Sequence, residues 1–224
     1  MSAAPVLAVD GPGGAGKGTH CRRVAERLGW QLLDSGALYR LVAVAADDAG
    51  VELDDEPGLA AVARDLPARF AGEHVFLGDR DVTEEIRSEA CGDRASRVAQ
   101  LAGVRTALVG LQRRFRRPPG LVADGRDMGT VIFPDAELKV FLTASAEERA
   151  MRRYKQLKGK GFDVSLASLS AEVAARDRRD AERAVAPLRP APDATVIDST
   201  ELGIDEVVEA VLEELRRRRL MPAE

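Results

Sequence analysis

Short apolar runs alternate along the chain with longer segments in which apolar residues recur at helical spacing. The first helical segment carries Cys21, Val24, Ala25 and Leu28 on one face and follows the first apolar run. Strands that alternate with helices in this way are typical of a parallel sheet with helices on both faces. We therefore predict a three-layer α/β fold around a five-stranded parallel sheet, with strands at 5–9, 31–33, 121–123, 138–142 and 195–197.

The pattern changes between residues 41 and 101, which predicts an insert rather than further strand–helix units. A hairpin is predicted within it at 74–82, because Gly78 and Asp79 form a turn signal between two short runs. A second change lies at 149–162, where a helical pattern reaches Gly159 and Gly161. Two glycines so close together predict a mobile segment.

Composition narrows the class of protein. The 224 residues are 45% hydrophobic, which suits one large α/β domain with small inserts. The formal net charge of −4 argues against a protein held on nucleic acid by general basicity.

No stretch approaches the roughly 20 apolar residues that cross a bilayer, and the first residues do not form a charged, apolar leader, so we expect a cytoplasmic protein with no membrane partner. Cys21 and Cys91 lack metal-ligand spacing and are expected to be ordinary reduced residues.

Two arginine clusters, at 113–117 and 216–219, leave nucleic-acid binding open as an alternative. Each cluster lies near a predicted helix end, and neither is interleaved with aromatic residues that stack on bases. Only five of the 33 basic residues are lysines, so arginine is abundant throughout and its clusters carry little weight. We expect no nucleic-acid partner, and retention on heparin at physiological salt would contradict this expectation.

The segment after the first predicted strand is rich in glycine and contains a lysine. It reads GPGGAGKGT and follows the spacing G-x-x-x-x-G-K, with a strand predicted before it and a helix after it. Glycines let backbone N–H groups turn toward a phosphate, the helix N-terminus adds positive potential, and the lysine adds a mobile charge. A flexible glycine turn is the alternative, which the flanking elements disfavour. The residues predicted to bind ATP are Gly11, Pro12, Gly13, Gly14, Ala15, Gly16, Lys17, Gly18 and Thr19.

Two large classes of phosphate-loop protein are disfavoured. A GTPase needs an Asn-Lys-x-Asp segment to bind guanine, and this chain contains no asparagine. A motor or AAA-type ATPase usually has a strand that ends in Asp-Glu, whereas the third predicted strand runs into Asp124 and Gly125. Transfer to a phosphate acceptor needs no such glutamate, because the acceptor oxygen is already ionised near neutral pH. An enzyme of that kind must align and neutralise two polyanions.

Five segments together resemble those of bacterial cytidylate kinases. They occur in order and read GPGGAGKGT, DSGALYR, ADGRDMGTVIFPDA, RDRRDAERAVAPL and VIDST. The resemblance implies transfer of the γ-phosphoryl group of ATP to CMP, and to dCMP, and we expect a monomer. It also implies a core at 1–36, 101–150 and 166–224, an insert that binds the nucleoside monophosphate at 37–100, and a lid at 151–165.

The form GKGT departs from the strict loop pattern, because Gly18 stands where serine or threonine is usual. It is similar to the loop of nucleoside monophosphate kinases, in which Mg²⁺ is held mainly by phosphates and water. We therefore predict Mg²⁺ as the cofactor and no metal site made by the protein alone, with Thr19 as one candidate ligand.

The resemblance also assigns roles to polar residues. It assigns the transfer itself to Lys17, Arg126, Arg179 and Arg183. The CMP phosphate is assigned to Ser35, Arg40, Arg126 and Arg183, and the ribose to Arg176 and Asp180. The cytosine edge is assigned to Ser96, Arg105 and Asp127. Closure of the lid over ATP is assigned to Arg152 and Arg153.

Each assignment has a plainer alternative. Ser35 is a favoured helix N-cap residue, and Arg126 with Asp127 could form a salt-bridged turn. The charges at 176–183 recur at helical spacing, which on its own usually means a solvated helix face. The lid arginines could be surface residues of a helix. A kinase of another small molecule, such as shikimate, would share the loop, and a screen of acceptors would separate the two.

Overall fold

The computed structural model describes residues 3–72, 74–159 and 161–221. Two compact units divide the chain: the first takes the residues up to Leu33 and from Phe115 onward, and the second is Asp34–Arg114. The strands are β1 Val6–Asp10, β2 Gln31–Asp34, β3 Ala68–Ala71, β4 His74–Leu77, β5 Arg80–Asp81, β6 Leu121–Gly125, β7 Leu138–Thr143 and β8 Thr195–Asp198. The helices are α1 Lys17–Leu28, α2 Ser35–Ala49, α3 Glu56–Arg64, α4 Thr83–Arg87, α5 Glu89–Val98, α6 Ala102–Arg113, α7 Ala146–Gly159, α8 Leu166–Ala181 and α9 Ile204–Arg217, and a one-turn π-helix, Met128–Ile132, follows β6.

The first unit is built on a parallel sheet with the strand order β2-β6-β1-β7-β8. β1 lies in the middle, paired with β6 on one side and β7 on the other, and all five of its residues are buried. A central parallel strand is covered on both faces, which is why these strands stand out in the sequence as continuous apolar runs. The five predicted strands are confirmed, with ends that differ by at most two residues.

Helices α1 and α9 pack on this sheet and on each other. The predicted apolar face of α1 is confirmed, because Cys21, Val24, Ala25 and Leu28 are buried in one core cluster with residues of β7 and α9. Ion pairs such as Arg23 with Asp205 also join the two helices, but exposed pairs add little stability, so the apolar contact decides the packing. No helix in the described part of the chain is both long and apolar enough to span a membrane.

The loops after β1 and β6 begin side by side. The two strands run parallel in a register that pairs Asp10, at the end of β1, with Gly125, at the end of β6. Open α/β sheets bind their ligands beyond the carboxyl ends of the strands. This edge of the first unit is therefore where functional residues are expected.

The second unit combines helices α2 to α6 with a small antiparallel sheet of order β3-β4-β5. The predicted hairpin is confirmed: β4 pairs with β5, and Gly78 takes a φ of +60° at the turn. The additional strand β3 pairs with β4 and had no clear signal in the sequence. This unit extends beyond the predicted insert at 37–100 and includes α6, which packs on α3.

Candidate active site

The glycine-rich segment forms a tight turn between β1 and α1. A methyl group at Gly11 would lie 1.9 Å from the carbonyl oxygen of Leu142, so no side chain fits there. Gly16 has a φ of +84° and is the N-cap residue of α1, and its carbonyl oxygen accepts the N–H groups of Thr19 and His20 at 3.1 and 3.2 Å. The first N–H groups of a helix have no partner within it, so this turn presents donors in the arrangement that binds phosphate.

Lys17, the first residue of α1, is buried beside the loop that precedes it. Its Nζ atom donates a hydrogen bond to the carbonyl oxygen of Pro12 at 3.0 Å and lies 3.8 Å from Oδ1 of Asp124. Burial lowers the pKa of Lys17 to about 8, and the positive charge of Arg126 adds to this effect while Asp124 opposes it. The ammonium group is therefore held between the loop and the end of β6.

Two arginines from distant segments lie against the loop at Gly13. A methyl group at Gly13 would be 3.4 Å from Nη2 of Arg126 and 3.4 Å from Nε of Arg176. Arg126 follows β6 and Arg176 lies on α8, so neither is near the loop in the sequence. The structure thus brings two of the residues predicted to bind CMP to the loop predicted to bind ATP.

Asp180 on α8 lies between two of the predicted arginines. Nε of Arg126 donates to Oδ2 of Asp180 at 3.0 Å, and Arg183 donates to Oδ1. Burial acts to raise the pKa of Asp180, but the charges of Arg126 and Arg183 outweigh it and hold that pKa below its ordinary value. The alternative of a solvated helix face does not hold, since Asp180 and Arg183 are both buried. Arg183 also lies just beyond α8, which ends at Ala181, so the charges at 176–183 do not all share one helix. Arg179, on α8, is partly buried.

Arg149 on α7 joins the loop to α8 and was not identified from the sequence. Its guanidinium group donates to the carbonyl oxygens of Ala144 at 3.0 Å and of Gly13 at 3.1 Å. It also forms two hydrogen bonds with Asp177 of α8, at 2.9 and 2.6 Å. The sequence around Arg149 is the charged run EERAMRR, in which no periodic signal marks one arginine as buried.

The two arginines predicted for the lid both lie on α7, in different surroundings. Arg152 donates to Glu148 at 2.9 Å and to both the hydroxyl and the carbonyl oxygen of Ser199. Its Nη1 atom would lie 3.9 Å from a methyl group at Gly16, so it is close to the phosphate loop. Arg153 donates to Gln156 one turn further along the helix. A closing movement of this segment stays a prediction.

Asp127 is buried where β6 turns into the π-helix Met128–Ile132. The N–H groups of the next two residues, Met128 and Gly129, donate to the carboxylate of Asp10 at 2.8 Å each. Asp10 is the last residue of β1 and was also not identified from the sequence, because nothing local distinguishes it from the other strand-end residues. These contacts tie the predicted base-binding residue to the phosphate-loop strand.

Four of the residues predicted to bind CMP belong to the second unit. Ser35 is buried as the first residue of α2, but the N-cap is Asp34, whose Oδ1 accepts the N–H of Ala37 at 3.0 Å. The alternative of Ser35 as the N-cap of this helix therefore does not hold, and its assignment to the CMP phosphate stays a prediction. Arg40 donates to the carbonyl oxygens of Ile86 and Ser88, the latter at 3.3 Å.

The other two, Ser96 and Arg105, are both buried. Arg105 donates to the carbonyl oxygen of Ala99 at 3.0 Å, and its guanidinium carbon lies 5.7 Å from the centre of the Tyr39 ring. The hydroxyl of Ser96 is buried without a hydrogen-bond partner among the described residues. A buried hydroxyl is usually paired, so this one has room for a hydrogen bond that the described residues do not supply.

Within the described residues, no group of three or more His, Cys, Asp or Glu side chains could hold a metal ion. Two oxygen donors nevertheless lie by the start of α1. One is the hydroxyl oxygen of Thr19, which is an exposed residue. The other is a carboxylate oxygen of Asp124, which would lie 3.7 Å from a methyl group at Gly18. Mg²⁺ prefers oxygen ligands and keeps several waters, so one or two protein oxygens together with phosphates fit it.

These features define a P-loop phosphotransferase: a buried strand leads into a phosphate loop with its lysine, and a set of arginines lies against that loop. The profile of the family described as "Cytidylate kinase" matches residues 7–217. A cytidylate kinase of Methylococcus capsulatus is 60% identical over 211 residues, which cover 93% of this chain and 95% of that protein. One of Pseudomonas syringae pv. tomato is 58% identical over 221 residues, with 96% of each chain covered. The chain belongs to the cytidylate kinase family and is a kinase, which decides against the shikimate kinase alternative.

Proposed function

We propose that this enzyme transfers the γ-phosphoryl group of ATP to CMP, and to dCMP, by direct in-line attack, giving ADP and CDP or dCDP. The observation that carries the proposal is the position of Arg126 and Arg176 against Gly13 of the phosphate loop. At this point Arg126 neutralises the acceptor phosphate beside the donor, and Arg176 binds the ribose of the same acceptor. No general base is needed, because the acceptor oxygen is already ionised.

The loop and Lys17 act on ATP. The backbone N–H groups at the start of α1 bind its phosphates, and the ammonium of Lys17 stabilises the charge that spreads over the phosphoryl group during transfer. Arg126, Arg179 and Arg183 add positive charge around the same group. Mg²⁺ bound to the phosphates supplies further neutralisation, and Thr19 and Asp124 are the residues that would hold it.

The acceptor nucleotide is recognised in three parts. Arg126 and Arg183, with Ser35 and Arg40, bind its phosphate. Arg176 and Asp180 bind the ribose. Because the pKa of Asp180 is held below its ordinary value, its carboxylate remains a hydrogen-bond acceptor for ribose over a wide pH range. Asp127, with Ser96 and Arg105, binds the edge of the base. Arg152 and Arg153 close over ATP and exclude water, which would otherwise accept the phosphoryl group.

Nucleic-acid binding by the arginine clusters is a weaker candidate. In the first cluster Arg116 pairs with Asp135 at 2.6 Å, and in the second Arg217 pairs with Glu214 at 2.6 Å. Such pairing reduces the positive charge available for a phosphate backbone. We propose a monomer in the cytoplasm, with nucleotides as its only substrates.

Steady-state turnover with ATP, Mg²⁺ and a panel of acceptors tests the proposal. ADP formation is followed with CMP, dCMP, UMP, AMP and shikimate in parallel reactions. We expect CMP and dCMP to be the preferred acceptors, and turnover to be lost when EDTA removes the metal. A preference for UMP or AMP, or equal rates with all acceptors, would overturn it.

A further inference from the structure

Asp10 holds the start of the segment that follows β6, although it belongs to a different strand. It is the last residue of β1, it is 4% exposed, and the strand register pairs it with Gly125. Its Oδ1 accepts the N–H of Met128 and its Oδ2 accepts the N–H of Gly129, both at 2.8 Å. One buried carboxylate therefore uses both oxygens on two consecutive backbone donors.

These donors open the π-helix directly after Asp127. N–H groups at the start of a helix have no acceptor within it, and Asp127 does not cap this helix with its own side chain. The carbonyl oxygen of Asp127 instead accepts the N–H groups of Val131 and Ile132, at 2.9 and 3.2 Å. The backbone of Asp127 is thus held by its own turn and, through the two residues that follow it, by Asp10.

The packing around Gly129 leaves this turn little room to shift. A methyl group there would be 3.1 Å from the side-chain carbons of Lys139 and 3.5 Å from Oδ2 of Asp10. Nζ of Lys139 pairs with Asp193 at 3.0 Å, which holds the lysine stem across the glycine. Asp10 and Lys139 therefore confine the turn together.

An ionised carboxylate at this depth is unfavourable for folding. Burial raises the pKa of Asp10 to about 6, against the opposite effect of its two N–H donors. Two titratable groups face Asp10: Lys17 of α1 lowers its pKa, and Asp127, which follows β6, raises it. A third charged residue, Lys139 of β7, packs on the turn at Gly129. A neutral side chain would avoid this penalty, so a carboxylate at this position indicates a role other than stability.

We propose that Asp10 is a positioning residue for Asp127, and that it sets the preference of the enzyme for cytosine over uracil. The carboxylate of Asp10 fixes the backbone of Asp127. From this position the Asp127 side chain accepts a hydrogen bond from the exocyclic amine of cytosine. A turn released from Asp10 would let Asp127 move off that amine, while the phosphate loop would keep its own hydrogen bonds. This inference deepens the proposed function and rests on it.

The test compares wild-type enzyme with Asp10→Asn and with the control Asp205→Asn, which removes an exposed carboxylate that pairs with Arg23 of α1. For each protein, kcat/KM is measured with CMP and with UMP, and KM with ATP. We expect Asp10→Asn to lower the CMP to UMP ratio of kcat/KM about tenfold, which is the effect of roughly one lost buried hydrogen bond. The KM for ATP should change less than about threefold. The control keeps the wild-type ratio.

The pH dependence of the same CMP to UMP ratio distinguishes a positioning role of Asp10 from a merely structural one. Titration of the substrate phosphate is common to CMP and UMP and cancels in the ratio. We expect the wild-type ratio to fall as the pH is lowered through about 6, where Asp10 takes up a proton, and the ratio of Asp10→Asn to change much less. An unchanged ratio in Asp10→Asn, or an equal loss for CMP, UMP and ATP, overturns the inference.

Hydrogen exchange keeps the inference testable if the variant does not fold. In the wild-type protein the amide protection of Met128 and Gly129 should fall about tenfold or more when Asp10 is protonated, in line with the loss of one buried acceptor. Unchanged protection between pH 5 and 8 counts against Asp10 as the acceptor. Wild-type enzyme that does not phosphorylate CMP would instead refute the proposed function, and the exchange experiment would still report on the contact.

Discussion

Arg149 and Asp177 form an ion pair with two hydrogen bonds, 2.9 and 2.6 Å long, between helices α7 and α8. The same guanidinium group holds the carbonyl oxygen of Gly13 in the phosphate loop. One buried side chain therefore connects the phosphate loop, which is proposed to bind ATP, to helix α8, which carries Arg176 and Asp180. We therefore expect this connection to fix Arg176 and Asp180 relative to the phosphate loop.

Replacing Arg149 with lysine should separate the loop from α8. A lysine has one nitrogen and cannot satisfy Gly13, Ala144 and Asp177 together, so we expect kcat to fall at least about tenfold and the free energy of unfolding to fall by about 1–3 kcal/mol. Enzyme assays and urea unfolding measure the two effects. The control is Arg178→Lys, on an exposed position of α8, which should change neither. Equal behaviour of the two variants would contradict a special role for Arg149.

Lys17→Ala should lower kcat by orders of magnitude and leave the fold intact. In the proposed mechanism the ammonium group stabilises charge on the transferring phosphoryl group, and the alanine variant would lose that interaction in the transition state. Circular dichroism reports on the fold and a coupled ADP assay on turnover. Near-normal turnover in a folded variant would refute the phosphate-loop assignment.

Asp180→Ala should raise KM for CMP and weaken transfer much more than it affects ATP binding. Asp180 is predicted to bind a ribose hydroxyl, and it also pairs with the partly buried Arg126 and the buried Arg183, so its removal takes a carboxylate away from both cations. Titration calorimetry with ATP alone separates the two substrates. If both nucleotides lose affinity equally, the residue acts on the fold of the site rather than on ribose.

Asp127→Ala should narrow the preference for CMP over UMP. In the proposed site an ionised Asp127 would accept a hydrogen bond from the amine of cytosine but would face the lone pairs of the uracil carbonyl. Arg105 would lose part of its contact with uracil, whose N3 carries a proton. We expect wild-type selectivity in kcat/KM on the order of 10² or more, because unpaired buried polar groups discriminate strongly. The variant should lose most of its CMP activity and much less of its UMP activity. A constant ratio would make Asp127 a structural residue.

Asp10→Asn should become more stable relative to wild type as the pH rises from about 4 to 6. The pKa of Asp10 is raised from 3.8 to about 6 in the folded protein, so the folded state binds a proton in this window that the unfolded chain has released. Wild-type stability therefore falls with rising pH through the window, by at most about 3 kcal/mol, and the asparagine variant lacks this component. Thermal unfolding of both proteins between pH 4 and 8 measures the difference. Parallel profiles would contradict an ionised, buried Asp10.

The sequence by itself determined the class of the protein and most of its secondary structure. The phosphate loop, the helix after it and the five strands are local features: their signals lie within a few residues of glycine spacing or apolar runs. The hairpin around Gly78 is local for the same reason. The resemblance carried by five segments also indicated the family that the comparison at 60% identity assigns.

Only the tertiary structure decided which charged residues act together. Asp10 meets Met128 across 118 positions of sequence, and Arg149 meets Gly13 across 136. Such contacts follow from strand register and helix packing, and in the sequence Arg149 looks like any other member of a charged run. Burial also separates Asp180, and Arg183 just beyond the end of α8, from the exposed Arg178 of that helix. A charge pattern with helical spacing describes an exposed face and a buried ion pair equally well, and only the fold of the rest of the chain separates them.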